Sequence, residues 1–143
     1  MTSRSKSTLF LIEQLIVIAV FAICAAACIS ILTAAFFKAN DTRATSQAIH
    51  KAESAAEVFK ATGGDVETVA NILGGFNGTD ISGNLFVTVF YDTMWKLSDY
   101  TQRSFVLHIV YEQADRNSMV TVAELTVERV TGEELVAFQL AAR

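Results

Sequence analysis

The chain of 143 residues has no proline, two cysteines, two histidines and one tryptophan. Without proline, no helix is kinked or stopped by a residue that lacks an amide donor. Both cysteines, Cys24 and Cys28, lie in one apolar block, so the rest of the chain has no thiol for a disulfide and must be held by packing. His50 and His108 stand alone, with no second histidine or cysteine at ligand spacing, which gives no metal site and no nucleophilic triad. No cofactor is called for. Charged residues make up 18% of the chain and the net charge is −4. Arg4, Lys6 and Glu13 are the only charged residues before Lys38, and beyond them nine basic residues face fourteen acidic ones. A mildly acidic distal part lacks the clustered Lys and Arg that a phosphate backbone requires, so nucleic acid is not an expected partner.

Apolar residues account for 52% of the chain, with a mean hydropathy of +0.38, and their distribution is uneven. Leu15 to Phe37 contains no charge, and as a helix it spans about 34 Å at 1.5 Å per residue, enough to cross a hydrocarbon core of ~30 Å. Ser30 and Thr33 fit this environment because a hydroxyl can bond back to a carbonyl one turn earlier. Arg4 and Lys6 before an apolar stretch, with Ala25-Ala26-Ala27 after it, also suit a cleaved export signal. Glu13 and Gln14 interrupt that signal pattern, and the apolar run continues through Ile29, Ile31, Leu32, Phe36 and Phe37. A membrane span is therefore the expected reading.

Basic residues flank both ends of the span, Arg4 and Lys6 before it and Lys38, Arg43 and Lys51 after it, so the positive-inside comparison is close to balanced. A short tail followed by a whole folded domain favours a single-pass chain with a cytoplasmic N-terminus and an extracytoplasmic C-terminal domain. Ala22, Ala26, Ser30 and Ala34 recur at four-residue spacing, a row of small side chains that lets helices approach closely in an apolar medium. Cys24 and Cys28 read as small packing residues.

Glu13 is the exceptional residue of this segment. An ionisable group near the start of a membrane helix is costly to bury and calls for either a partner or a path back to the headgroups. Leu9-Phe10-Leu11-Ile12-Glu13-Gln14-Leu15-Ile16-Val17-Ile18-Ala19-Val20, preceded by a short basic tail, resembles the N-terminal segment of type IV pilins and of type II secretion or competence pseudopilins. The resemblance covers roughly residues 4–37. It implies a leader of residues 1–8 removed by a prepilin peptidase after Thr8, a mature chain starting at Leu9, and an assembly role for Glu13. The Glu13 carboxylate would then pair with the amino terminus of a neighbouring subunit as helices stack into a filament at the cell surface. Three positions depart from the family pattern: Thr8 stands where glycine is usual, Gln14 where an apolar residue is usual, and the first helix lacks its proline.

Beyond the span, Ala48, Ile49, Ala52, Ala55, Ala56 and Phe59 recur at helical spacing, with Lys51, Glu53, Glu57 and Lys60 between them. The first helix is expected to continue to about residue 60, where Gly63-Gly64 ends it. Asp65 is placed to cap a short helix through Val66, Val69, Ala70 and Leu73. Gly74 to Asp80, extended by Gly83, reads as loop; it lacks the Gly-Lys-Ser/Thr ending of a phosphate-binding loop. Four strands follow: Leu85 to Asp92, Arg103 to Glu112, Met119 to Arg129 and Glu134 to Leu140. Turns are expected at Ser98-Asp99, Asp115 to Ser118 and Thr131-Gly132, and the short links favour an antiparallel meander.

The fold class is α+β: a long N-terminal helix, its first half (residues 9–37) spanning the membrane, with the remainder packed on a four-stranded antiparallel sheet at about 85–141 in an exported domain of residues 38–143. The resemblance implies the same pilin-like order. His50 reads as a solvated helix residue and His108 as a strand-face residue. Glu133 and Glu134, as neighbours on a strand, would face opposite ways and cannot share a task. Trp95, Tyr91 and Tyr100 read as a core cluster at a hairpin edge rather than a binding surface. Two functions are open at this point: a non-enzymatic pilin-like or minor pseudopilin subunit, with the membrane, other pilin-like subunits or further copies of itself, and prepilin peptidase as partners; or a single-pass membrane-anchored binding module that never polymerises.

Overall fold

A computed structural model describes residues 3–112 and 120–143, with side chains from residue 8 onward. Two compact units divide the chain, Met1–Thr42 and Arg43–Arg143. Helix α1 runs Ser3–Ala61 and α2 runs Val66–Leu73. Five strands follow: β1 Phe76–Thr79, β2 Leu85–Tyr91, β3 Phe105–Tyr111, β4 Thr121–Arg129 and β5 Glu134–Ala142. They form one antiparallel sheet in the order β1-β2-β3-β4-β5, the meander that the short links lead one to expect.

In the N-terminal unit nearly every side chain from Thr8 to Thr42 is exposed, aliphatic and aromatic residues included. Such an apolar surface has no place in water, and α1 is long and apolar enough to cross a membrane. Ser30 Oγ donates to Ala26 O at 2.9 Å and Thr33 Oγ1 to Ile29 O at 2.8 Å, so both hydroxyls are satisfied within the helix.

In the distal unit the last turns of α1 present Ala48, Ala52, Ala55 and Phe59, all fully buried, to the sheet. Alanines at three- and four-residue spacing let the helix lie close to the strands, and Phe59 fills the end of the interface against the Tyr111 ring, centroids 5.6 Å apart. Ile49 does not join this face. One residue on from Ala48 puts it about 100° round the helix, and it is largely exposed.

Gly63 and Gly64 stop α1 with φ of 64° and 79°, and the Gly64 amide donates to Phe59 O at 2.8 Å. Asp65 caps α2 as expected: its carboxylate accepts the Thr68 amide and hydroxyl, and those two hydrogen bonds hold it below the usual carboxylate range. Gly74 closes α2 in the left-handed conformation at φ 69°.

The sheet buries one face under α1. Val87, Val89 and Tyr91 of β2 lie beside Ile109, Leu107 and Phe105 of β3; Ile109 and Leu107 in turn lie beside Leu125 and Val127 of β4. The expected strands are present with small shifts of boundary. Met119 and the expected turn at Asp115 to Ser118 lie outside the described residues. The sheet has five strands rather than four, because Phe76–Thr79, expected as loop, pairs with β2 from Phe76↔Thr88 to Thr79↔Leu85. Asn and Gly disfavour strands, so nothing local marks this one. It forms because glycines allow contact at close quarters. A Cβ on Gly75 would stand 2.6 Å from Thr88 O, and one on Gly78 would stand 2.8 Å from the Phe86 ring.

Candidate functional site

Two surfaces gather the chemistry of this chain, one in each unit. The first is the apolar length of α1. Thr8 and Leu9 lie within its helical backbone, and Leu9 sits one turn before Glu13 on the same side. Ala22, Ala26, Ser30 and Ala34 are all exposed. At about 100° per residue their row begins about 180° round the helix from Glu13 and winds to within about 60° of it at Ala34. The carboxylate and the start of the small-residue row therefore occupy opposite sides. A single helix neighbour can use one of them; a bundle with neighbours on several sides can use both. Ser30 spends its hydroxyl on its own helix, so it presents a small surface with no donor left for a neighbour.

The second surface is the face of the sheet turned away from α1. Alternation along the strands sends Phe86, Thr88 and Phe90 of β2, Val106 and His108 of β3, and Glu128 of β4 to this side. Between them lies an open pocket of about 420 Å³, which Phe76, Tyr100 and Val130 also line. A smaller hollow of about 280 Å³, lined by Asp80, Phe86, His108 and Val110, adjoins it through Phe86 and His108. Phe76 is 61% and Tyr100 64% exposed, so aromatic surface faces solvent here.

Arg103 organises one end of the pocket. Its guanidinium lies 3.5 Å from the Tyr100 ring centroid and 5.6 Å from that of Phe90, and it donates to Tyr100 O. Phe90 and Tyr100 meet edge to face at 5.7 Å. A planar cation held on two ring faces is oriented by the ring quadrupoles as well as by its hydrogen bond. The other basic residue at the pocket, Arg129, is paired with Glu133 Oε2 at 2.8 Å. His108 Nδ1 lies 3.2 Å from Thr88 Oγ1. Burial pushes its pKa below 6.5, opposed in part by the Glu128 carboxylate.

The aromatic cluster expected at the hairpin edge divides between the two faces. Tyr91 and Trp95 belong to the core side, with Trp95 stacked on Phe105 at 4.0 Å and Tyr91 6.0 Å from Trp95. Tyr100 goes to the opposite face with Phe90 and Arg103. Intervening turns, not sequence spacing, decide this: Asp92 accepts the Met94 and Lys96 amides, and Trp95 takes a positive φ of 61°. His50 is exposed, 3.7 Å from Glu53. Glu133 lies in the turn before β5, so only Glu134 is a strand residue and the two glutamates do different things.

Sequence reasoning did not find the Arg103 pocket. Its one signal is an apolar second sheet face: Phe86 and Phe90 alternate with the buried valines of β2, making that strand apolar on both sides. Among the described residues no group of three or more His, Cys, Asp or Glu is placed to hold a metal ion. Comparison with protein-family models, with curated proteins and with solved structures returned no match.

Proposed function

We propose that this chain is a pilin-like or minor pseudopilin subunit of a bacterial type IV pilus, type II secretion or competence filament. It is anchored by α1, with its N-terminus cytoplasmic and its α+β domain outside the membrane. One observation carries the reading: Glu13 is the only charge between Lys6 and Lys38, on a stretch of α1 whose side chains are mostly apolar and exposed. A carboxylate in that setting is stabilised when a cation meets it. A neighbouring subunit's amino terminus at Leu9, freed by a prepilin peptidase after Thr8, supplies one at the right depth. The small-residue row, which begins on the opposite side and winds toward Glu13 at Ala34, offers the helix a place for a second neighbour. The order of a long helix followed by an antiparallel meander supports the same reading.

The role assigned is assembly, with no catalytic residue. Intact-mass and N-terminal peptide mass spectrometry on chain recovered from cells with an active prepilin peptidase tests the processing step. The proposal predicts an N-methylated Leu9 terminus. A chain beginning at Met1 contradicts it and favours the second reading, a single-pass anchored binding module that never polymerises. Thr8, in place of the usual glycine, is the observation behind that second reading.

A further inference from the structure

The hairpin that joins β1 to β2 ends in a hydrogen-bonded polar turn, Asp80-Ile81-Ser82-Gly83-Asn84, that carries one apolar side chain at its tip. Asp80 Oδ1 accepts the Ile81 amide at 2.6 Å, the Asp80 amide donates to Asn84 O at 2.8 Å, and the Gly83 amide donates to Asp80 O at 2.8 Å. Held this way, Ile81 projects completely into solvent, at 104% relative exposure. The turn's hydrogen bonds hold the backbone that presents this β-branched side chain, with a carboxylate beside it, and β-branching narrows its χ1 choices. Less backbone entropy is then lost on docking than from an open loop.

The Arg103 pocket has the complementary character. Its walls are aromatic and aliphatic, and among the described residues Arg103 has no carboxylate partner, whereas Arg129 already has Glu133. The tip cannot reach the Arg103 end of its own pocket. Thr79 pairs with Leu85 at the start of β2, while Phe105, two residues after Arg103, pairs with Tyr91 at its end. Six strand steps separate them, about 20 Å.

We propose that the Asp80–Ile81 tip of one copy docks in the Arg103 pocket of the next copy, Ile81 entering between the aromatic walls and the Asp80 carboxylate meeting the Arg103 guanidinium. Tip and pocket are different surfaces, so the contact is heterologous. Each copy keeps a free tip at one end and a free pocket at the other, and the contact propagates as an open row instead of closing as a dimer. A row built by translation, or by a screw whose axis runs parallel to α1, keeps every copy's α1 pointing the same way, as insertion into one membrane requires. The inference rests on the assembly reading above and names the contact between distal domains that would accompany the Glu13 contact.

The test is disulfide cross-linking of the full chain in its own membrane, with Cys24 and Cys28 replaced by alanine. Ile81→Cys and Val130→Cys are placed on the tip and on the pocket wall; both positions are exposed and neither supports the core. Chains carrying both substitutions are expected to give a ladder of dimers, trimers and longer products on mild oxidation. A mixture of singly substituted chains is expected to give dimers only, and Arg103→Gln should lower the yield several-fold. Equal cross-linking by either single variant alone overturns the proposal, as does cross-linking of Ile81→Cys to a different protein. Glu13-dependent sedimentable assemblies that lack the 81–130 cross-link would overturn this contact while leaving the assembly reading standing. Absence of both assemblies and cross-link would sink the two together.

Discussion

Glu13, Gly75, Tyr111 and Arg103 show how far single positions govern this molecule. Glu13 and Arg103 are charges in apolar surroundings, one on α1 and one on two aromatic rings, and that contrast is why each is proposed as a recognition element. Gly75 is needed for space: a Cβ there would collide with Thr88 O and the Val89 side chain, which are backbone and core. Gly75→Ala is therefore expected to cost about 1–3 kcal/mol, the range for overpacking, and to loosen β1 first. Hydrogen exchange of the Phe76–Thr79 amides reads it, and unchanged protection contradicts the close-approach account. Tyr111 is buried, with a hydroxyl that has no hydrogen-bond partner among the described residues. Burial, reinforced by the Asp65 charge, pushes its pKa up to about 12. Tyr111→Phe should raise stability by about 1 kcal/mol, because an unsatisfied polar group is removed at almost constant shape. A chemical-denaturation midpoint that falls in the variant would show that the hydroxyl is in fact satisfied.

At the scale of elements, α1 brings one large fully buried side chain to its interface with the sheet. Ala48, Ala52 and Ala55 set the distance, and Phe59 supplies the bulk; Phe59→Ala should cost about 3–5 kcal/mol in the same denaturation measurement. The outer face is expected to answer to pH. His108 has its pKa lowered in the folded chain by burial, so below 6.5 the unfolded chain takes up a proton that the folded one resists. The unfolded state then binds more protons, and stability falls as pH drops through 6.5 toward the lower folded value. Thermal melts from pH 7.5 to 5 should show this slope, and His108→Gln should flatten it; an identical slope in the variant contradicts the assignment.

These elements also show what could be read beforehand. Long periodic segments declared themselves: the apolar run of α1, the glycine stop at Gly63-Gly64, the Asp65 cap and the alternating strands β3 and β4. β1 did not, because Phe76-Asn77-Gly78-Thr79 has no strand pattern and is made a strand only by the ladder it forms with β2. The Arg103 pocket left only one mark, a β2 strand that is apolar on both sides. It brings together residues from the 86–90, 100–108 and 128–132 stretches, and Tyr100 reaches that face through a turn containing a positive φ at Trp95, which no spacing rule reports.

At the scale of the whole molecule, the two proposals concern separate surfaces, one on the apolar stretch of α1 and one on the distal sheet. Under the assembly reading the Glu13 carboxylate meets a cation from a neighbouring copy, and the proposed tip-and-pocket contact, whose halves lie about 20 Å apart on one copy, calls on a second copy as well. Assembly would answer both with the same partner. The most direct test compares wild-type chain with Glu13→Ala in the host membrane by sedimentation of gently extracted material and by recovery in sheared surface filaments. The account predicts that the wild-type chain enters large assemblies, whereas Glu13→Ala reaches the membrane at normal level and stays unassembled. Equal assembly of Glu13→Ala and wild type would contradict it.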